Sequence, residues 1–336
     1  MNMNVASLSE VNPLAEAIPS GIASGFIDDI RSTLYDWHSR SLATVLVTLV
    51  NYEGSSPRPV GSQMVVNENG EAVGLISGGC LESALIEEAL SCLRLKQQRL
   101  VRYGKSSDYF DIQLPCGSGI DVLITPNPEA SFINQLFAAY SNRTLLEWTA
   151  DLVGGSHQVV QLSNEQLTRV TTKNYQYNRA QVENDLSNFT KTYTPRTRVV
   201  VVGEGAIYDY FVAMAQLFDI EMLTCSTGRY STFNAELLDP WSALVTLSHS
   251  HEWEPDILSK AVETDAFYIG ALGSRSTHSM RCELLRERGI SDTQINRIKG
   301  PAGLNLGGRT PPEIALSILA EIVCVRQQAM PKVWSL

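Results

Sequence analysis

Charge is scarce in this 336-residue chain, and positive charge is scarcer still. Charged residues make up 18% of it, with 26 Lys and Arg against 36 Asp and Glu and a formal net charge of −10. That balance argues against non-specific nucleic-acid binding and against adhesion to an anionic membrane, since both need clustered cations. No apolar run approaches the ~20 residues of a membrane-spanning helix, and LATVLVTLV, Leu42 to Val50, is a buried strand at most. The opening MNMNVASLSEVNPLAEA has no basic stretch leading into an apolar core, so it does not read as a secretory signal. Of the six cysteines, at 80, 92, 116, 225, 282 and 324, none forms Cys-x-x-Cys, and no Cys/His cluster has zinc spacing. Free thiols in a reducing cytoplasm are the expectation. His249 and His251 stand two apart in a loop, a pattern too weak to assign a metal.

The length exceeds that of a usual single domain, and 44% hydrophobic residues suffice for two ordinary cores. Residues 1–25 read as a loose tail. Residues 26–128 read as an α/β domain with a mixed sheet. It opens with a helical pattern at FIDDIRSTLYDWH, then the strand at LATVLVTLVNYEG. A hairpin follows at SQMVVNENGEAVGLIS, with Asn69-Gly70 at its turn, and then a helix after Cys80. RLVRYG, YFDIQL and IDVLITP read as further strands. Residues 129–197 read as an irregular excursion and linker, with a helical FINQLFAAY and a strand-like HQVVQLS. From Arg198 to residue 336, strands and helices alternate, the pattern of a Rossmann-like parallel sheet. Its last helix is announced by Thr310, two prolines and Glu313, a capping-box arrangement.

Two cysteines stand where chemistry is plausible. In GLISGGCLESALIEEAL, Cys80 follows Gly78 and Gly79 at the expected start of a helix, where the dipole lowers a thiol's pKa and glycines leave room for a ligand. In LPCGSGIDVLI, Cys116 precedes Gly117 in a loop of small residues suited to an anion nest. The plainer reading of both is structural, since free cysteines are often buried. Cys92, Cys282 and Cys324 fall in helical apolar patterns and read as packing. Ser55 and Arg58, in the stretch between two strands, also suit an anion.

In the second domain, Gly203 and Gly205 form a Gly-x-Gly turn able to take a phosphate. However, Tyr208 replaces the third small residue of the dinucleotide fingerprint, and Ser226 stands where a ribose-binding acid is expected, with Arg229 close by. A nucleotide's phosphate fits such a turn; NAD as a hydride carrier fits poorly. His249, Ser274, Arg275 and Arg309 fall at the same predicted edge of the sheet, where arginines and helix starts suit an oxyanion.

The stretches EGSSPRPVGSQMVV, GLISGGCLESALIEEAL, LPCGSGIDVLI, FYIGALGSRSTH and GPAGLNLGGRTPPEIALSILAEIV together resemble the XdhC/CoxI family, accessory proteins of xanthine dehydrogenase and related molybdenum hydroxylases. The resemblance implies a cytoplasmic accessory protein without turnover of its own. Such a protein binds molybdenum cofactor (molybdopterin), holds it while a cysteine desulfurase adds a sulfido ligand, and passes it to an apo-molybdenum hydroxylase. It also implies that Cys80 and Cys116 are the family cysteines, able to contact molybdenum, and it leaves open which of them does so. The expectation is that the two lie close together in a cleft shared with the second domain. The alternatives are an NAD(P)-dependent oxidoreductase, supported by the Rossmann-like pattern alone, and a cysteine-based sulfur carrier that never holds the cofactor. Homo-oligomerisation is left open.

Overall fold

The computed structural model of the chain describes residues 27–56, 58–107, 117–162, 180–182, 187–225, 233–247 and 253–328. These fall into two compact units, Ile27–Arg196 and Thr197–Gln328.

The first unit is built on strand β1 (Thr44–Glu53), with β2 (Gln63–Asn67), β3 (Ala72–Gly74), β4 (Arg99–Gly104) and β5 (Gly119–Pro126) in the order β3-β2-β1-β5-β4. Strand β1 is apolar on both sides because both sides are covered. Val45, Val47 and Leu49 pack with Leu85, Ala89 and Cys92 of helix α2 (Glu82–Leu95). Leu46 and Val50 face helix α1 (Arg31–Ser39), helix α3 (Ala130–Ser141) and a second sheet. Burial of each such side chain is worth roughly 1.5–3 kcal/mol.

The sheet was expected to be mixed, but every pairing in it is antiparallel. Helix α2 joins β3 to β4, which run the same way as in a crossover unit. Three strands lie between them, so no parallel pair forms. Gly70, at φ 81°, supplies the positive-φ position of the hairpin, and the Asn67 carboxamide oxygen accepts from the Asn69 and Glu71 amides.

The stretch 129–197, expected to be largely irregular, carries α3 and a four-stranded antiparallel sheet. Its strands are β6 (Leu146–Asp151), β7 (His157–Gln161), β8 (Ala180–Val182) and β9 (Asn188–Tyr193), in the order β7-β6-β9-β8. Leu146, Trp148, Ala150, Phe189 and Tyr193 face the first sheet's core. Polar groups clasp the two sheets together. The Tyr193 hydroxyl donates to Gln63 at 3.0 Å, and the Gln63 amide donates to Thr48 at 3.1 Å. His157 accepts from the Trp148 indole at 3.1 Å and meets Gln98 with its other nitrogen at 3.0 Å, tying this hairpin to the start of β4.

The second unit has β10 (Arg198–Gly203), β11 (Glu221–Cys225), β12 (Ser242–Leu247), β13 (Tyr268–Ala271) and β14 (Ile298–Lys299) in the order β11-β10-β12-β13-β14, parallel throughout. Val199 and Val201 face helices α4 (Ala206–Gln216) and α8 (Pro311–Gln328). Val200 and Val202 face α5 (Glu254–Ala261), α6 (Arg275–Glu287) and α7 (Asp292–Ile295). This doubly wound arrangement is the Rossmann-like fold expected from residue 198 onward. Among the described residues, no helix is long and apolar enough to cross a membrane.

One charge in the first unit is buried at a cost. Lys191, on β9, is 4% exposed; its ammonium donates to the Gly61 carbonyl at 2.6 Å and lies 5.0 Å from the Tyr193 ring centre. Burial pulls its pKa down to about 8, with Asp28 and Asp29 opposing and Arg31 and Arg58 reinforcing the shift from 10.5. Between pH 8 and 10.5 the unfolded chain therefore holds a proton that the folded chain lacks, and this group's contribution to stability rises with pH across that window. The gain is about 3 kcal/mol in all, and it is flat below pH 8. Urea unfolding of the native chain and Lys191→Met across this range checks it. The native chain should gain on the variant as pH rises, and parallel curves would show that Lys191 does not titrate in the fold.

Candidate functional site

Register determines which loops share an end of the first sheet. Glu53 pairs with Gly119, Thr48 with Gln63, Met64 with Gly74, and Gly104 with Gly119. The end where β1, β3 and β4 finish is therefore the end where β2 and β5 begin. Three connections leave it: the Ser55–Arg58 stretch from β1 to β2, the Cys80 turn after β3, and the segment that ends at Gly117 before β5. Gly54 meets Ser118 directly, since a Cβ on Gly54 would lie 3.3 Å from that of Ser118. Strands β3 and β5 are three places apart, about 14 Å at ordinary strand spacing, and the Ser55–Arg58 stretch emerges between them. Cys116 itself lies outside the described residues.

Cys80 is exposed, as are Gly78 and Gly79. Gly79 has φ 115° and nothing within 4 Å of where a Cβ would stand, so the turn requires a glycine and leaves open space beside the thiol. The donors of the turn that leads into α2 are collected by Glu82, the first helical residue. Its carboxylate accepts from the amides of Ile76 (3.2 Å), Ser77 (2.9 Å), Gly79 (2.8 Å) and Leu81 (3.1 Å), and from the Ser77 hydroxyl (2.7 Å). Burial alone would raise this carboxyl, but hydrogen bonds from Ser77, its own amide and Ile76 outweigh burial and hold it below the ordinary glutamate value. An acid in the first turn after paired glycines was the sequence signal for this role, and it went unread.

Arg58, read as suited to an anion, already has a carboxylate partner. Its guanidinium turns inward to an ion pair with Asp28, and the Ser56 hydroxyl donates to the Arg58 carbonyl at 2.7 Å. Ser55 remains exposed.

In the second unit the strand ends form one edge because all its strands are parallel. Gly203, at the end of β10, has φ 148°, and a Cβ there would fall 2.7 Å from the Leu247 carbonyl oxygen, so only glycine lets β10 and β12 finish side by side. Gly205 caps α4, exposed and beside open space. Ser274 is committed to capping α6, its hydroxyl accepting from the Thr277 amide at 3.1 Å. Arg275 and Arg309 are exposed, and neither side chain has a hydrogen-bonding partner among the described residues. His249, Ser226 and Arg229 lie outside the described residues. Cys225, at the end of β11, is half-buried, and burial pushes its thiol up.

Beneath this edge lies an ion pair that sequence reading missed. Arg281 of α6 and Glu254 of α5 are 2% and 3% exposed and meet at 2.9 Å. Glu254 also accepts from Thr246 near the end of β12, and Arg281 donates to the Leu272 carbonyl just past β13. The pair thus braces the two loops that follow those strands.

Residues 199–322 match the family model of the XdhC Rossmann domain, and residues 37–104 match that of the XdhC and CoxI family. Over 312 residues the chain is 33% identical to the molybdenum cofactor insertion chaperone PaoD of Escherichia coli K12, a match covering 90% of each. The chain belongs to the XdhC and CoxI family. It is also 21% identical over 322 residues to a probable xanthine dehydrogenase subunit of Bacillus subtilis, covering 84% of this chain and 93% of that one. A crystal structure described as a xanthine dehydrogenase from Bacillus halodurans shares the fold, with a TM-score of 0.68 at 21% identity over 91% of this chain and 97% of that chain. The two matched segments of the XdhC and CoxI family fall one in each compact unit, on Cys80 in the first and on the glycine turns and Arg275 in the second.

Breaking the buried pair on one side should be costly. Arg281→Met strands the Glu254 carboxylate and should lower unfolding free energy by about 3–5 kcal/mol, whereas the double variant Glu254→Leu/Arg281→Met should recover most of it. Urea denaturation of the three chains measures this, and a single variant as stable as native would show that the pair is not coupled.

Proposed function

We propose that this protein binds molybdenum cofactor and holds it for sulfuration by a cysteine desulfurase and insertion into an apo-molybdenum hydroxylase of the xanthine dehydrogenase type. The observation that carries the reading is the sheet end shared by the Cys80 turn, the Ser55–Arg58 stretch and the segment reaching Gly117, in a chain 33% identical to an insertion chaperone.

The residues fit the group. A thiol is a soft ligand suited to molybdenum, and Cys80 stands exposed with clear space at Gly79. By the family resemblance Cys116 is its companion, adjoining the exposed Gly117. In the second unit, Gly203, Gly205 and the exposed Arg275 and Arg309 suit a phosphate or another oxyanion. When bound, the cofactor supplies the metal and dithiolene centre on which the client hydroxylase depends. The protein's own part is to present a thiol to the cofactor and then to release it. These roles need no turnover, and no membrane or nucleic-acid partner. Two identical chains acting together are compatible with this reading.

A second reading, an NAD(P)-dependent oxidoreductase, is favoured by the Gly203–Gly205 turn alone. Tyr208 is half-buried against the core under that turn, where the dinucleotide fingerprint asks for a small residue.

Three measurements separate the two readings. Protein purified from a host that makes molybdopterin should release a pterin identifiable by mass. Cys80→Ser and Cys116→Ser should each retain about tenfold less, the effect of losing one strong ligand contact. Calorimetric titration with NAD and NADP should show no micromolar binding. Micromolar binding with substrate-dependent reduction of the nucleotide would replace the carrier with the oxidoreductase.

A further inference from the structure

We propose that Glu82 is a positioning residue that gathers the Ile76–Leu81 turn and so sets the Cys80 thiol for its ligand. The inference rests on the reading of Cys80 as a cofactor contact and adds to it the residue through which the fold acts on that thiol. Ile76 and Leu81 anchor the two ends of the turn in the core, but between them no apolar side chain packs. The turn leaves β3 at the edge of the sheet, and Gly78 and Gly79, at φ 82° and 115°, contribute no side chains. Cys80 is exposed. Against this, the two Glu82 oxygens divide five donors: one takes the Ile76 and Ser77 amides, and the other takes the Gly79 and Leu81 amides and the Ser77 hydroxyl. Ser77 closes the ring by accepting from Leu81 at 2.8 Å. The residues on both sides of Cys80 are thus bonded to one carboxylate, and only the thiol is left outward.

Glutamine cannot replace that carboxylate. Its carboxamide has one acceptor oxygen, and whichever way it lies, its NH2 group faces main-chain donors. A freed turn exposes its thiol to reagents more readily but no longer presents it in one place. The signature of positioning is therefore a thiol that reacts faster and holds cofactor worse.

The test uses the full chain as native, Glu82→Gln, Ser77→Ala and Cys80→Ser. Alkylation by N-ethylmaleimide is followed at each cysteine by peptide mass. Retention of molybdenum cofactor released from a donor molybdoenzyme is measured after gel filtration. In Glu82→Gln, Cys80 should alkylate about tenfold faster, with Cys225, Cys282 and Cys324 unchanged, and cofactor retention should fall about tenfold, each the effect of losing a hydrogen bond to a charged group. Ser77→Ala, which removes one donor to the carboxylate and one acceptor for the Leu81 amide but leaves the carboxylate itself, should fall between Glu82→Gln and native on both measures. Equal Cys80 rates in native and Glu82→Gln would overturn the proposal. So would a rise shared by all four cysteines in Ser77→Ala, since that is general loosening. If Cys80 alone speeds up but Cys80→Ser retains cofactor like native, Glu82 still positions the turn, and it is the reading of Cys80 as a ligand that fails.

Discussion

Both main sheets are covered on both faces, and this constraint decides where chemistry can happen. Strands β1, β10 and β12 are apolar on either side because helices or a second sheet lie on either side. A side chain from a strand interior cannot reach a ligand. Only the ends of strands and the connections leaving them remain, and the residues singled out for function are found there: Cys80 after β3, Gly117 before β5, Gly203 and Gly205 after β10, and Ser274 and Arg275 after β13. In the parallel sheet this is the familiar consequence of crossover topology. In the antiparallel sheet it follows from register, which brings three connections to one end.

Buried polar groups then do the work of holding those ends in place. Three different devices are used, two in the first unit and one in the second. Glu82 spends a half-buried carboxylate on main-chain amides, Arg281 and Glu254 neutralise each other under two loops, and Lys191 bears its charge against one carbonyl and a ring. The cost differs accordingly. The Glu254–Arg281 pair is coupled through good geometry and extra hydrogen bonds, as a buried pair must be to offset desolvation. Among the described residues Lys191 has no ion-pair partner of that kind, and burial lowers its pKa.

These same groups mark where sequence reading stopped. The Rossmann-like unit was legible because four consecutive valines, glycine turns and amphipathic helices all agree on one architecture. The hairpin at Gly70 was legible for the same reason. The strand NFTKTY was not, because Lys191 occupies an inward position where an apolar residue would have shown the alternation. The antiparallel order of the first sheet was hidden too, since sequence locates strands but not their neighbours. Cys80 was found from its glycines, but the fate of the nearby amides depends on which acceptor reaches them first, and Glu82 is already in place. Arg58 looked available only because Asp28, thirty residues earlier, gives no sequence sign of facing it.

The strand order of the first sheet also bears on how the chain is made. Strand β1 finds β2 soon after synthesis, but its other neighbour, β5, comes much later, as the Asn51–Asp121 hydrogen bond across 70 residues shows. During synthesis a largely apolar strand therefore presents an open edge until helix α2 and strand β4 have passed. Such an edge invites pairing with another nascent chain. Pairing of this non-local kind must close a long loop before its contacts form, which slows folding relative to a sheet built from sequential hairpins.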